Sequence, residues 1–183
     1  MVTISPVWTD VGEEILHAHK FHTSIDTGLK LAQSGIKDLG FDGDAAITCR
    51  LRFIDTDVLS TPAGAAYDVD RFALNLRDFI AFNQGALNAI ETISLTGLHE
   101  VVHCLRFRTY PRADHDDVER RATEIVAYGA DSAHSTMYYG RTIDQQQSDS
   151  PDAARSAEVA RLLLEGVKLG EFLTAPAAEV NSI

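Results

Sequence analysis

The sequence predicts an α+β fold: a small mixed or antiparallel sheet set between an N-terminal helical part and a central helical pair. Three observations carry that expectation. Apolar residues recur at helical spacing up to residue 32, alternate strictly over 47–53 and 72–76, and return to helical spacing from residue 87. A length of 183 residues, with 45% hydrophobic and 23% charged residues, suits one globular domain with one core.

Asp10 with Glu13 resembles a capping box, and Val11, Ile15, Ala18, Phe21, His22, Ile25, Leu29 and Ala32 give the following helix its face. Gly28 or Ser34-Gly35 is expected to divide that helix, and Gly40 with Asp42-Gly43-Asp44 marks a turn. Ile47, Cys49, Leu51 and Phe53 alternate with polar residues as a half-buried strand. Thr61-Pro62-Ala63-Gly64 reads as a loop before a second strand over Phe72–Leu76. Leu87, Ile90, Ile93, Ser94, Leu98, Val101, Val102 and Leu105 form the next helix, in which Gly97 is tolerable if a neighbour packs closely. A loop at 110–114 precedes a helix opening at Asp116-Asp117 and running toward Tyr138. Residues 141–152 read as a polar linker. Residues 153–183 read as one amphipathic helix, Ala153–Leu173, followed by a frayed tail.

A net charge of −11 disfavours nucleic acid and anionic membranes as partners. No apolar run is long enough for a membrane span, and the first residues lack the basic and apolar regions of a secretory signal. Cys49 and Cys104 give no disulfide framework, so the expected compartment is the cytoplasm. Composition leaves the oligomeric state open.

Chemistry concentrates at His99-Glu100-Val101-Val102-His103, an H-E-x-x-H pattern. On a helix, positions four apart share a face, so both imidazoles can converge on one ion while Glu100 stands beside them as a proton acceptor. Zinc suits such a ligand set, with one position left for water. A catalytic site needs a third protein ligand. Arg106 and Thr109 occupy the places where a metzincin-type pattern carries Gly and His, and Cys49 lacks the loop context of a deformylase-like ligand. A Glu from the following helix remains: Glu124 is favoured, with Glu119 as its rival, because its spacing leaves room for a turn before the helix folds back. Asp114, His115 and Asp116 read as loop and helix-start residues.

The stretch Leu98–Arg108, with its H-E-x-x-H followed by Leu105-Arg106, resembles a bacterial family of predicted zinc-dependent proteases, formerly a domain of unknown function, of the Glu-zincin type. The resemblance covers roughly residues 45 to 140. In that family two Glu five apart follow on the next helix, as Glu119 and Glu124 do here, and the second is the ligand. The family continues with Gly, where this chain has Ile125 and Val126. The resemblance implies a zincin-like catalytic domain over residues 1–140, with 45–140 as its metal-site core, and peptidase activity on a peptide or protein substrate.

On that reading Glu100 takes a proton from zinc-activated water and delivers it to the leaving amine. Tyr128, His134 or Tyr138 would stabilise the transition state, and Phe72–Leu76 would be the edge strand that pairs with substrate. Asp131 reads as a solvated helix residue, the alternative being a carboxylate that orients a ligand His. Cys104 reads as a small buried hydrophobe and the His17, His19, His22 cluster as a solvated helix face. Arg106 and Arg108 are expected to pair with the acidic 114–119 run or to bind a substrate carboxylate. Two other functions fit the same residues: a non-catalytic peptide- or protein-binding module that keeps the metal, and a metal-dependent hydrolase of a non-peptide bond.

Overall fold

A computed structural model describes residues 2–7, 22–41, 47–54, 65–68, 71–75, 86–111, 113, 116–140 and 151–183, and places side chains in 23–41, 89–111, 113, 116–140 and 152–183. The elements in chain order are β1 (Val2–Val7), α1 (His22–Asp38), β2 (Ile47–Ile54), β3 (Ala65–Asp68), β4 (Arg71–Asn75), α2 (Ala86–Thr109), α3 (Asp117–Tyr139), α4 (Pro151–Leu164), α5 (Leu169–Thr174) and α6 (Ala177–Val180).

The structure corrects the α+β, zincin-like expectation. Of the residues whose side chains are placed, 83% are helical and none lies in a strand. The packed core is Ile25, Leu29 and Ile36 of α1, Ile93, Leu98, Val101, Val102 and Leu105 of α2, Ile125 and Val126 of α3, and Val159 and Leu163 of α4, closed by Leu169, Phe172 and Val180. Helices cover one another here because small residues let them approach closely. A Cβ at Gly28 would lie 2.7 Å from Ile93, and one at Gly129 would lie 2.6 Å from Val159. Neither Gly28 nor Gly35 divides α1, which runs unbroken through both; each is a point of contact instead. Gly97 meets Ala32 in the same way.

The strand backbones pair in the order β1-β2-β4-β3, with β1, β2 and β4 parallel and β3 antiparallel to β4. The segment expected as a substrate-facing edge, Phe72–Leu76, is therefore interior over its described part, because β3 flanks β4. Asp10–Phe21, with His17 and His19, the turn at 42–44, the loop at 61–64, and Asp114 and His115 fall outside the described residues, as does 141–150 of the expected linker.

The C-terminal region also differs from expectation. Instead of one helix over 153–173, α4 ends at Leu164, the chain reverses at Gly166 with φ +102°, and α5 and α6 follow. The tail is packed rather than frayed: Ala177 and Val180 are buried, and Asn181 donates from its side-chain amide to the Val118 carbonyl. No described helix is long and apolar enough to cross a membrane.

Candidate metal centre

The site lies where α2 and α3 run side by side. Asp116 starts α3, its carboxylate accepting from the amides of Val118 and Glu119. Gly140 closes it in the left-handed conformation, φ +65°, its N–H donating to the Thr136 carbonyl. Between these caps, polar pairs connect the helices: Arg106 with Glu119, His103 and His99 with Glu124, His99 with Asp131 and Ser94 with His134. Residue numbers fall along α2 as they rise along α3, so the two helices are antiparallel and share a polar seam.

The middle pairs converge. His99 Nε2 and His103 Nε2 are 3.2 Å apart, and the Glu124 carboxylate lies 3.5 Å from the first and 3.4 Å from the second. All three ligand atoms fall within 4.8 Å of one another, a group that could hold a metal ion. A tetrahedral ion with ligands at about 2.0–2.2 Å separates them by about 3.3–3.5 Å, so the spacing fits. Glu119, the rival third ligand, is held by Arg106 at 3.0 Å and is not in this group.

Electrostatics follow from crowding these groups together. Burial opposes a charge on His99, but Asp131, 2.7 Å from its Nδ1, outweighs that and raises the imidazole pKa well above its ordinary value. Burial also raises Asp131, against the opposing pull of His99. Against its own burial, Glu124 is held well below the usual carboxylate range by the two imidazoles that face it. Glu100 is 7% exposed, and burial pushes its carboxyl upward with only partial relief from His103 and His99. Its Oε2 has no hydrogen-bond partner, which leaves that atom available to a proton-bearing ligand.

The structure separates the three aromatic and imidazole candidates for transition-state stabilisation. Tyr128 packs edge-on against His99 with ring centroids 4.9 Å apart and is 49% exposed, so it borders the site. His134 is buried 2.5 Å from Ser94 and stacks on Tyr138, whose hydroxyl is bonded to Asp38. These two belong to the far end of the seam. On an α-helix Tyr138 stands about 21 Å along the axis from Glu124, which places it out of reach.

Two residues carry more than the sequence suggested. Asp131 is not a solvated helix residue: it is buried and fixes His99 Nδ1, which turns Nε2 toward the other ligands. Its seven-residue spacing from Glu124 was the available signal, since seven residues return to the same helix face. Arg106 pairs with Glu119 of the acidic 114–119 run, as expected, and is in addition fully buried and bonded to the carbonyls of Phe172 and Ala175. Cys104 is buried, as a small hydrophobe would be. No family model matches the chain, and neither does any curated protein or solved structure.

Proposed function

We propose that this protein is a zinc-dependent hydrolase of peptide bonds. The observation that carries the proposal is the convergence of two imidazole nitrogens and one carboxylate beside a buried Glu100 with an uncommitted oxygen. A purely structural ion would need no such neighbour. A zinc ion held by His99, His103 and Glu124 would supply Lewis acidity and a water of lowered pKa. Glu100 would accept that water's proton and return it to the departing amine, a role that suits a carboxyl whose proton affinity burial has raised. Asp131 keeps His99 in the tautomer that presents Nε2. Tyr128, at the exposed margin, would donate its phenol to the oxygen on which charge develops. The peptide bond as target is supported by the resemblance of the Leu98–Arg108 stretch to predicted zinc-dependent proteases, and a cytoplasmic setting belongs to the same reading.

The test is elemental analysis of the purified protein together with a broad peptide library. One equivalent of zinc is expected, with cleavage that Glu100→Gln abolishes while the metal stays. A zinc-loaded wild type that cleaves no peptide would replace this function by a binding module or a hydrolase of another bond. Absence of any bound metal after zinc reconstitution would refute all three.

A further inference from the structure

We infer that Arg106 is a positioning residue: by clasping Glu119 and the carbonyl end of α5 at once, it sets the register of α3 on α2 and thereby places Glu124 against the two imidazoles. The inference rests on the metal-site reading above.

Among the described residues Arg106 is the largest fully buried side chain, at 0% exposure. Its Nη2 donates to Glu119 Oε2 at 3.0 Å, and its Nη1 donates to the carbonyls of Phe172, Leu173 and Ala175 at 2.8, 3.3 and 2.8 Å. The ring of Tyr110 lies 4.3 Å from the guanidinium carbon, and its hydroxyl donates to the Thr174 carbonyl. A buried cation is tolerated only where such partners replace water. The last carbonyls of a helix have no partner within it, and the planar fork of Arg reaches several of them and a carboxylate together, which an ammonium does not.

Position gives the clasp its consequence. Arg106 follows His103 by three residues on α2, and Glu119 precedes Glu124 by five on α3. It is the cross-helix pair next to the ligand pair on the side where 110–116 joins the helices. A slip of α3 along α2 would have to break it before Glu124 could move. The C-terminal α5 is thus part of the frame that holds the site, although none of its residues touches the ligand group.

The experiment compares the full chain with Arg106→Lys, Glu119→Gln and, as a stability control, Leu163→Ala on the buried face of α4. Zinc affinity is read by chelator competition, coordination by the ligand-field spectrum of the cobalt-loaded protein, and helix content by circular dichroism. Arg106→Lys is expected to retain its helix content, weaken zinc binding roughly tenfold to a hundredfold, and shift the cobalt spectrum. Glu119→Gln should do the same to a smaller degree and stands in for Arg106→Lys should that variant not fold. Leu163→Ala should lower the melting temperature with the cobalt spectrum unchanged. Wild-type affinity and spectrum in both clasp variants would overturn the inference and leave the proposed function standing. A cobalt shift in Leu163→Ala equal to theirs would overturn it too, as general loosening. A wild type that binds no metal would remove the proposed function, and this inference with it.

Discussion

Replacing Asp131 by Ala isolates the orientation of one ligand. The carboxylate accepts from His99 Nδ1 at 2.7 Å, and both side chains are largely buried, so water cannot replace the bond without entering the seam. Loss of the acceptor frees the imidazole to rotate and to carry its proton on Nε2, the atom that faces His103 and Glu124. His103 and Glu124 are left intact, so binding is weakened and not abolished. Partners of this kind are worth roughly tenfold to a hundredfold in metal affinity, about 1.4–2.8 kcal/mol. Asp131→Asn, whose amide oxygen can still accept from Nδ1, should fall between wild type and Asp131→Ala. Competition with a chromophoric chelator measures all three, with circular dichroism confirming the fold. An Asp131→Ala affinity within about twofold of wild type would show that His99 needs no outer partner and would refute the reasoning.

Four further outcomes follow from the same contacts. Glu124→Ala should lower zinc affinity far more than Glu119→Ala, because only Glu124 faces both imidazoles; the reverse order in a chelator titration would move the third ligand to Glu119. Glu100→Gln should keep the metal and slow turnover by on the order of 10²–10⁴-fold, read as hydrolysis at matched zinc content. A Cβ at Gly35 would sit 2.3 Å from His134 Nδ1, so Gly35→Ala should destabilise by roughly 1–3 kcal/mol, visible in a thermal melt. Burial lowers the His134 pKa to about 4 from 6.5, with Asp38 only partly opposing. Its contribution is complete above the unfolded value and is lost as pH falls toward 4, where the unfolded chain takes up a proton that the folded one refuses. The loss is up to about 3 kcal/mol, and urea denaturation of wild type and His134→Gln near pH 7 and about pH 4.5 should show it in wild type alone.

What the sequence made legible was local. The i, i+4 spacing of His99 and His103 needs only a helix to bring the rings together, and the polar break at 110–116 is short enough that the next helix must fold back beside them. Glu124 could therefore be reached by spacing. Asp131 was legible only as an alternative: seven residues on from Glu124 it shares that helix face, but whether it meets His99 or water depends on how α3 is rolled against α2. The pairing of Arg106 with the acidic 114–119 run was legible and is met by Glu119; its full burial was not, since a buried Arg is rare without partners and its carbonyl partners come from residues 172–175, far along the chain. Gly28 and Gly35 read as breaks by propensity, yet each is where another helix presses in, and tertiary contact overrode the penalty. The fold-class expectation failed for a related reason: alternation in 47–53 and 72–76 describes strand backbones, which do pair, but it says nothing about what packs on α2 and α3, and the core there is built by other helices. His134 and Tyr138 were plausible by chemistry alone and are excluded by distance along α3.

A seam of polar pairs is a costly thing to place inside a helical core, and its cost is only partly met. At one end Arg106 and Glu119 satisfy each other, with carbonyls taking most of the remaining donors; at the other Ser94 and His134 pair. Buried atoms without partners remain all along it: Glu100 Oε2 and Asp131 Oδ1 in the middle, Arg106 Nε and His134 Nδ1 at the ends. A buried polar atom left this way costs about 1–3 kcal/mol, and apolar side chains would avoid it, as they do elsewhere on α2. Three carboxyl groups beside two imidazoles also leave the middle of the seam short of positive charge. Burial raises the pKa values of Asp131 and Glu100, Asp131 raises that of His99 against its burial, and Glu124 sits between two ring nitrogens. A divalent cation would supply the missing charge at the point where the nitrogens and Glu124 converge, displacing protons as it binds. The Arg106–Glu119 and Ser94–His134 pairs lie on either side of that point and tie α2 to α3 through contacts that use none of its three converging side chains.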